Sequence, residues 1–196
     1  MNIFITGTDT DVGKTITSAW ICKNTSASYF KPIQTGDDSD TNTVIRFSPQ
    51  TQIIPNAYKL KAPLSAYDAA RLEGVDIDIE GIKRKCPQNN TVIEGAGGAL
   101  VPITKNIMMA DLINLMNAKA LIVAKSKLGF LNHIFLTVEA LRTRNTDILG
   151  IILNGETTLI NTVEHFSKCK VLATLTDLNA ISSEQIPPSI QSALTL

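Results

Sequence analysis

Apolar runs alternate with helix-periodic segments along most of the 196-residue chain. Short runs rich in β-branched and aromatic residues predict strands at Asn2–Thr6, Tyr29–Ile33, Asn90–Glu94, Ala120–Ala124, Ile148–Leu153 and Val171–Thr174. Segments whose apolar positions recur every three or four residues predict helices at Lys14–Lys23, Asp40–Phe47, Ser65–Leu72, Ile79–Lys85, Ala110–Met116 and Leu131–Arg144. Strands that alternate with helices predict an α/β fold, a parallel sheet with helices on both faces. Right-handed crossovers then gather the loops that follow the strands along one edge, where ligands of such sheets bind. No repeat, low-complexity tract or linker divides the sequence, so residues 1–196 are expected to form a single domain. The segment 179–188 is polar and weakly patterned, and it predicts no element.

Composition narrows the possible partners. Formal net charge is zero, hydrophobic residues make up 44% and charged residues 18%, which describes a soluble globular chain. No basic run supports nucleic-acid binding. The longest apolar runs, Ala120–Ala124 and Ile148–Leu153, are far too short to span a membrane. Cys22, Cys86 and Cys169 are widely separated and odd in number, unlike a disulfide framework or a zinc site. The first strand starts at the N-terminus with no export segment before it. These features together predict a cytoplasmic protein.

The chemistry lies at the strand ends. Gly7-Thr8-Asp9-Thr10-Asp11-Val12-Gly13-Lys14-Thr15 joins the first strand to the first helix. Loop N–H groups and the positive end of a helix dipole there face one anion. Lys14 reaches the terminal phosphates of a nucleotide, and the Thr15 hydroxyl suits a magnesium ion bound to them. Five residues separate Gly7 from Gly13, one more than in the usual phosphate-loop pattern. After the second strand comes Lys31-Pro32-Ile33-Gln34-Thr35-Gly36, then Ser39-Asp40. Lys31 is either a solvated surface lysine or a cation that neutralises a transferring phosphoryl group or holds an anionic substrate. Asp40 is either a helix N-cap, the commoner role of an Asp at a helix start, or a magnesium ligand. A third strand runs into Glu94-Gly95-Ala96-Gly97-Gly98, which is either a glycine turn with an incidental Glu or an acid placed where a metal–triphosphate complex needs one. Lys127-Leu128-Gly129-Phe130-Leu131-Asn132-His133 opens the longest helix, whose first N–H groups suit a carboxylate. His133 and His165 are far apart without matching ligands, and His165 reads as a helix-surface residue.

These ordered segments, with Ala62-Pro63-Leu64-Ser65 and Ala69-Ala70 between them, resemble the dethiobiotin synthetase family. The longer glycine spacing of the phosphate loop is itself similar to that family, and the likeness runs to about Gly155. The resemblance implies a P-loop NTPase-like fold and an ATP-dependent carboxylation and ring closure of 7,8-diaminononanoate with CO2. It implies that Lys31 and Lys14 are catalytic. It further implies that Asp11, Val12, Gly13, Lys14, Thr15 and Ile16 cradle ATP, with Thr15, Asp40 and Glu94 around Mg2+. Gly95, Ala96 and Gly97 would follow the nucleotide phosphates, while Asn154 and Gly155 would meet the adenine. Thr10 and Thr35 would contact the diamine. Gly129, Phe130, Leu131 and Asn132 would anchor its carboxylate from the second subunit of a homodimer.

The C-terminal part departs from the family. Leu175-Thr176-Asp177-Leu178 stands where a proline loop is usual, and the family's ribose-contacting acid has no clear counterpart, Glu184 being a weak match. The crossover from Ile16 to Tyr29 is short, which bears on packing more than on chemistry. The alternatives are a related amidoligase and a regulatory P-loop ATPase of the partition or septum-positioning type. The latter carries a second lysine early in the loop, where Thr8 and Asp9 stand here, and lacks the Lys-Pro-x-x-Thr-Gly segment.

Overall fold

A computed structural model describes residues 1–37, 39–175 and 186–195. The first strand, β1 (Asn2–Gly7), has every residue buried, as expected of a strand covered on both faces. It lies in a seven-stranded sheet ordered β4-β2-β6-β1-β7-β8-β9. The other members are β2 (Ser28–Phe30), β4 (Ile53–Ile54), β6 (Thr91–Gly98), β7 (Ala118–Lys125), β8 (Ile148–Asn154) and β9 (Val171–Leu175). Each pairing in the sheet is parallel. A separate parallel pair joins β3 (Ile33–Thr35) to β5 (Tyr58–Leu60).

The period of two along each strand sorts the core into two layers. Phe4, Ile93, Ile122 and Leu153 face one layer, which α3 (Ala66–Glu73), α4 (Ile79–Lys85), α5 (Met109–Leu115), α6 (Phe130–Arg142) and α7 (Ile160–Ser167) help to cover. Ile3, Ile5, Val92 and Val123 face the other, against α1 (Lys14–Lys23), α2 (Asp40–Phe47) and α8 (Pro188–Thr195). Trp20, Ile21 and Cys22 of α1 are fully buried or nearly so, and the short crossover into β2 leaves this packing intact.

The α/β reading holds, with instructive differences. The expected strand Tyr29–Ile33 is two strands in two sheets, broken at Lys31 and Pro32. Proline has no N–H for a ladder, and the Pro32 carbonyl instead accepts from Ala57 and Tyr58 N–H. The expected strand Asn90–Glu94 continues through the glycines to Gly98. β4, β5, α7 and α8 add to the predicted elements. His165 is exposed on α7, as its pattern suggested. The helix α2 is capped not by Asp40 but by Ser39, whose Oγ accepts from Asn42 N–H at 3.1 Å. Asp40 is the first helical residue, and its carboxylate is thereby left to other partners.

Candidate active site

The C-terminal ends of β1, β2, β6, β7 and β8 meet at a cleft of about 1030 Å³. The phosphate loop forms one wall. Asp11 and Gly13 both have positive φ, 56° and 100°, and Gly13 precedes the first turn of α1. A glycine is needed at Gly13 for two reasons: the left-handed φ, and the Asn154 side chain that a Cβ would strike. Asn154 Nδ2 donates to the Val12 carbonyl at 3.1 Å, so the end of β8 holds the loop from outside. Lys14 Nζ donates to the Asp9 carbonyl at 2.8 Å, spanning the loop. Burial holds the Lys14 pKa below the ordinary lysine value, against the pull of the Glu94 carboxylate.

At the end of the loop, three side-chain oxygens converge. Thr15 Oγ1 lies 2.7 Å from Asp40 Oδ1 and 2.8 Å from Glu94 Oε1. A hydroxyl carries one hydrogen, so it can donate to only one of these acceptors at a time. An all-oxygen set of one hydroxyl and two carboxylates, next to a phosphate loop, fits Mg2+ shared with a nucleotide. Among the described residues no group of three or more His, Cys, Asp or Glu side chains could hold a metal.

Lys31, at the break between β2 and β3, is 4% exposed and pairs with both acids, 3.1 Å from Glu94 Oε1 and in contact with Asp40 Oδ2. Burial alone would lower its pKa; Glu94 and Asp40 outweigh burial, and the ammonium is held above the ordinary lysine range. Burial likewise would raise Asp40, but Lys31 and the Thr15 hydroxyl bring its carboxyl below the usual value. The surface alternative for Lys31 is thus ruled out by its burial. Glu94 is itself 1% exposed, and its other oxygen, Oε2, accepts from Tyr29 Oη at 2.9 Å. Burial, then Glu94, pushes the Tyr29 phenol well above its ordinary value.

Thr10, Asp11, Gly13, Lys14, Thr15 and Ile16 line the cleft, as do Lys31, Thr35, Asp40, Glu94, Ala96, Gly97 and Asn154. Three residues expected there do not. Val12 is 1% exposed in the core, and its carbonyl already accepts from Asn154. Gly95 is packed so closely on Phe4 that a Cβ would come within 2.9 Å of the ring. Gly155 turns with φ 102° and donates to the Leu175 carbonyl. Glu184 lies outside the described residues. Sequence reading missed Gln34, Asp37, Lys61 and Lys125 on the walls. Lys125 ends an apolar strand at the ligand edge, a position that could have flagged it. Pro63, Leu64 and Val101 give the cleft an apolar side.

Gly129, Phe130, Leu131 and Asn132 line a different hollow of about 900 Å³, with Leu128 fully exposed beside them. None of its lining residues also lines the cleft. The two are neighbours, since Lys127 Nζ reaches to 3.8 Å from Asp9 Oδ2. Phe130 fits the anchor role poorly: its ring is in the core and its N–H already donates to the Lys127 carbonyl. Leu131 and Asn132 occupy the first turn, where N–H groups lack a carbonyl four residues back in the helix.

Comparison with known proteins agrees with this geometry. Residues 1–185 match a family model described as an AAA domain. The ATP-dependent dethiobiotin synthetase BioD of Paramagnetospirillum magneticum is 42% identical over 94% of this chain and 92% of its own length. The proteins of the same name from Lawsonia intracellularis and Brucella ovis are 39% and 38% identical, covering 93% and 94% of this chain and 91% and 90% of theirs. Among solved structures, a ParA family ATPase from Chlorobium tepidum superposes with a TM-score of 0.57 at 12% identity, over 98% of this chain and 90% of its own. The MinD cell division protein of Aquifex aeolicus gives 0.57 at 14% identity, over 98% and 93%. At that identity these two share the fold alone. Among the described residues no helix is long and apolar enough to cross a membrane.

Proposed function

The chain belongs to the ATP-dependent dethiobiotin synthetases, and from that premise we propose that it carboxylates and ring-closes 7,8-diaminononanoate with CO2, giving dethiobiotin, ADP and phosphate. The observation that carries this reading is the meeting of Lys14, Lys31, Thr15, Asp40 and Glu94 in one cleft that also has an apolar side. One amine of the substrate takes up CO2 as a carbamate. ATP phosphorylates that carbamate to a mixed anhydride, and the second amine attacks its carbon, closing the cyclic urea and releasing phosphate. No protein nucleophile is required. Lys14 and Lys31 set two cations against the negative charge that builds on the transferring phosphoryl group. Thr15, Asp40 and Glu94 would hold Mg2+, which supplies charge neutralisation on the phosphates when bound. Thr10 and Thr35 offer hydroxyls to the diamine, and Pro63, Leu64 and Val101 a surface for its alkyl chain. Asn154 would read the adenine through its Oδ1, since its Nδ2 already donates to the loop.

We further propose that the active sites are shared in a homodimer, the start of α6 anchoring the substrate carboxylate of the partner's site. In support, anchor and cleft share no lining residue within one chain. The same reading takes residues 1–196 as one catalytic domain. It also places the protein in the cytoplasm, in keeping with three free cysteines. The decisive assay supplies ATP, Mg2+, bicarbonate and the diamine and measures dethiobiotin. Product from the wild type, and loss of about a hundredfold or more in Lys14→Ala, is expected. Absence of product from folded wild type, or turnover of Lys14→Ala within a few-fold of it, overturns the assignment.

A further inference from the structure

Tyr29 lies on β2 with its ring fully buried among Ile3, Ile5, Trp20 and Val92 in the α1 layer. Its hydroxyl emerges from that layer at one atom, Glu94 Oε2, 2.9 Å away. The two oxygens of Glu94 are therefore divided. Oε1 faces Thr15 Oγ1 at 2.8 Å and Lys31 Nζ at 3.1 Å, on the cleft side, while Oε2 is turned into the core and bonded to the phenol. A Glu carboxylate otherwise turns easily about its last torsion, whose preferences are broad. A phenol fixed by ring packing removes that freedom.

We propose that Tyr29 is a positioning residue that confines Glu94 to offering one oxygen to the active-site cation, and so favours magnesium over calcium. This rests on the magnesium reading above and extends it to a determinant of ion choice. Mg2+ is small, wants near-ideal octahedral geometry and uses one or two carboxylates with waters and phosphates. Ca2+ takes six to eight oxygens, commonly with a carboxylate binding through both of its own. Holding Oε2 away from the cleft denies calcium that mode. Freeing Oε2 restores it and also leaves Glu94 less well aimed for magnesium.

The test compares wild type with Tyr29→Phe, which keeps the ring and loses only the hydroxyl. Ile21→Val, in the same core layer and with no polar group to bond Glu94, controls for packing. Binding of Mn2+ and Ca2+ to each protein in complex with ADP is measured by calorimetry, and Mg2+ by competition with Mn2+. Thermal unfolding and circular dichroism establish that each variant is folded. In Tyr29→Phe the preference for Mg2+ over Ca2+ should narrow by about fivefold or more, the scale of one ordinary net hydrogen bond. Steady-state half-saturation by Mg2+ should rise, with little change in KM for the diamine. If folded Tyr29→Phe keeps the wild-type preference, or Ile21→Val shifts it equally, the assignment to Tyr29 is wrong. If the wild-type ADP complex binds neither Mg2+ nor Mn2+, the magnesium reading itself falls, and Tyr29 with it.

Discussion

Lys31 Nζ stands 3.1 Å from Glu94 Oε1, sharing with the Thr15 hydroxyl the oxygen that faces the cleft. A lysine that shares its carboxylates with a metal site has two opposing effects. On the proposed reading its charge would assist the transferring phosphoryl group, yet it would compete with a divalent cation for Asp40 and Glu94. Lys31→Met should therefore lower turnover by about a hundredfold or more, the usual scale for one lost transition-state contact. The same variant should bind Mn2+ more tightly in complex with ADP. Weaker Mn2+ binding, measured by calorimetry on the folded variant, would mean that Lys31 organises the carboxylates rather than competing for them.

The contact between Asn154 and Gly13 gives a second expectation. Gly13→Ala adds a Cβ in a left-handed backbone and directs it into the Asn154 amide. ATP binding should fall strongly. Gly13→Ala combined with Asn154→Ala removes the collision but not the unfavourable φ, so nucleotide affinity should recover only in part. Full recovery in calorimetric titrations would show that backbone conformation at Gly13 does not matter to the cradle.

How much of this was legible in the sequence follows from the length of each signal. Buried parallel strands leave continuous apolar runs, so β1, β7 and β8 were found nearly to their ends. The glycine loop was found because strand, loop and helix start each have a local cause. β4 and β5 span two and three residues, below what periodicity can register. Helix α7 has Leu159 at its N-cap and no side-chain cap, so the usual Ser or Asp mark at a helix start is missing. Pro32 falls inside the strand expected at Tyr29–Ile33, and that expectation hides the bend that presents Lys31 to the cleft. Asp40 was weighed as a cap because the cap role is common; Ser39, one residue earlier, fills it. Tyr29 gave no functional sign at all, since an aromatic in an apolar run reads as core, and only the tertiary position of Glu94 gives its hydroxyl a role.

The Lys31–Asp40 pair sets a pH window for stability. The Asp40 carboxyl is lowered from 3.8, so its contribution is present above that value and is lost as pH falls through the folded one. The Lys31 ammonium is raised from 10.5, so its contribution is present below that value and is lost as pH rises through the folded one. Urea unfolding of metal-free protein should show stability falling at both ends of this window. Lys31→Met combined with Asp40→Asn should flatten both limbs. Unchanged limbs in the double variant would assign the pH dependence to other groups.

The proposed shared-site arrangement makes the most specific demand. A two-fold dimer repeats each contact, so two equivalent sites form, each with a phosphate loop from one chain and an anchor from the other. Lys14→Ala disables the loop. Asn132→Asp puts a negative charge in the first turn of α6, where it would repel a substrate carboxylate. Each variant alone gives a homodimer with two broken sites. A mixed dimer has one site carrying both defects and one carrying neither. Free exchange of equal amounts makes about half the dimers mixed, and each has one good site in two, so activity should recover to about a quarter of wild type. The measurement is dethiobiotin formation before and after subunit exchange, with mixed dimers verified by differently tagged chains. If mixed dimers form and activity stays at the level of the separate variants, loop and anchor act within one chain. The separation between the cleft and the hollow at Gly129–Asn132 would then have to be bridged by movement within a single subunit.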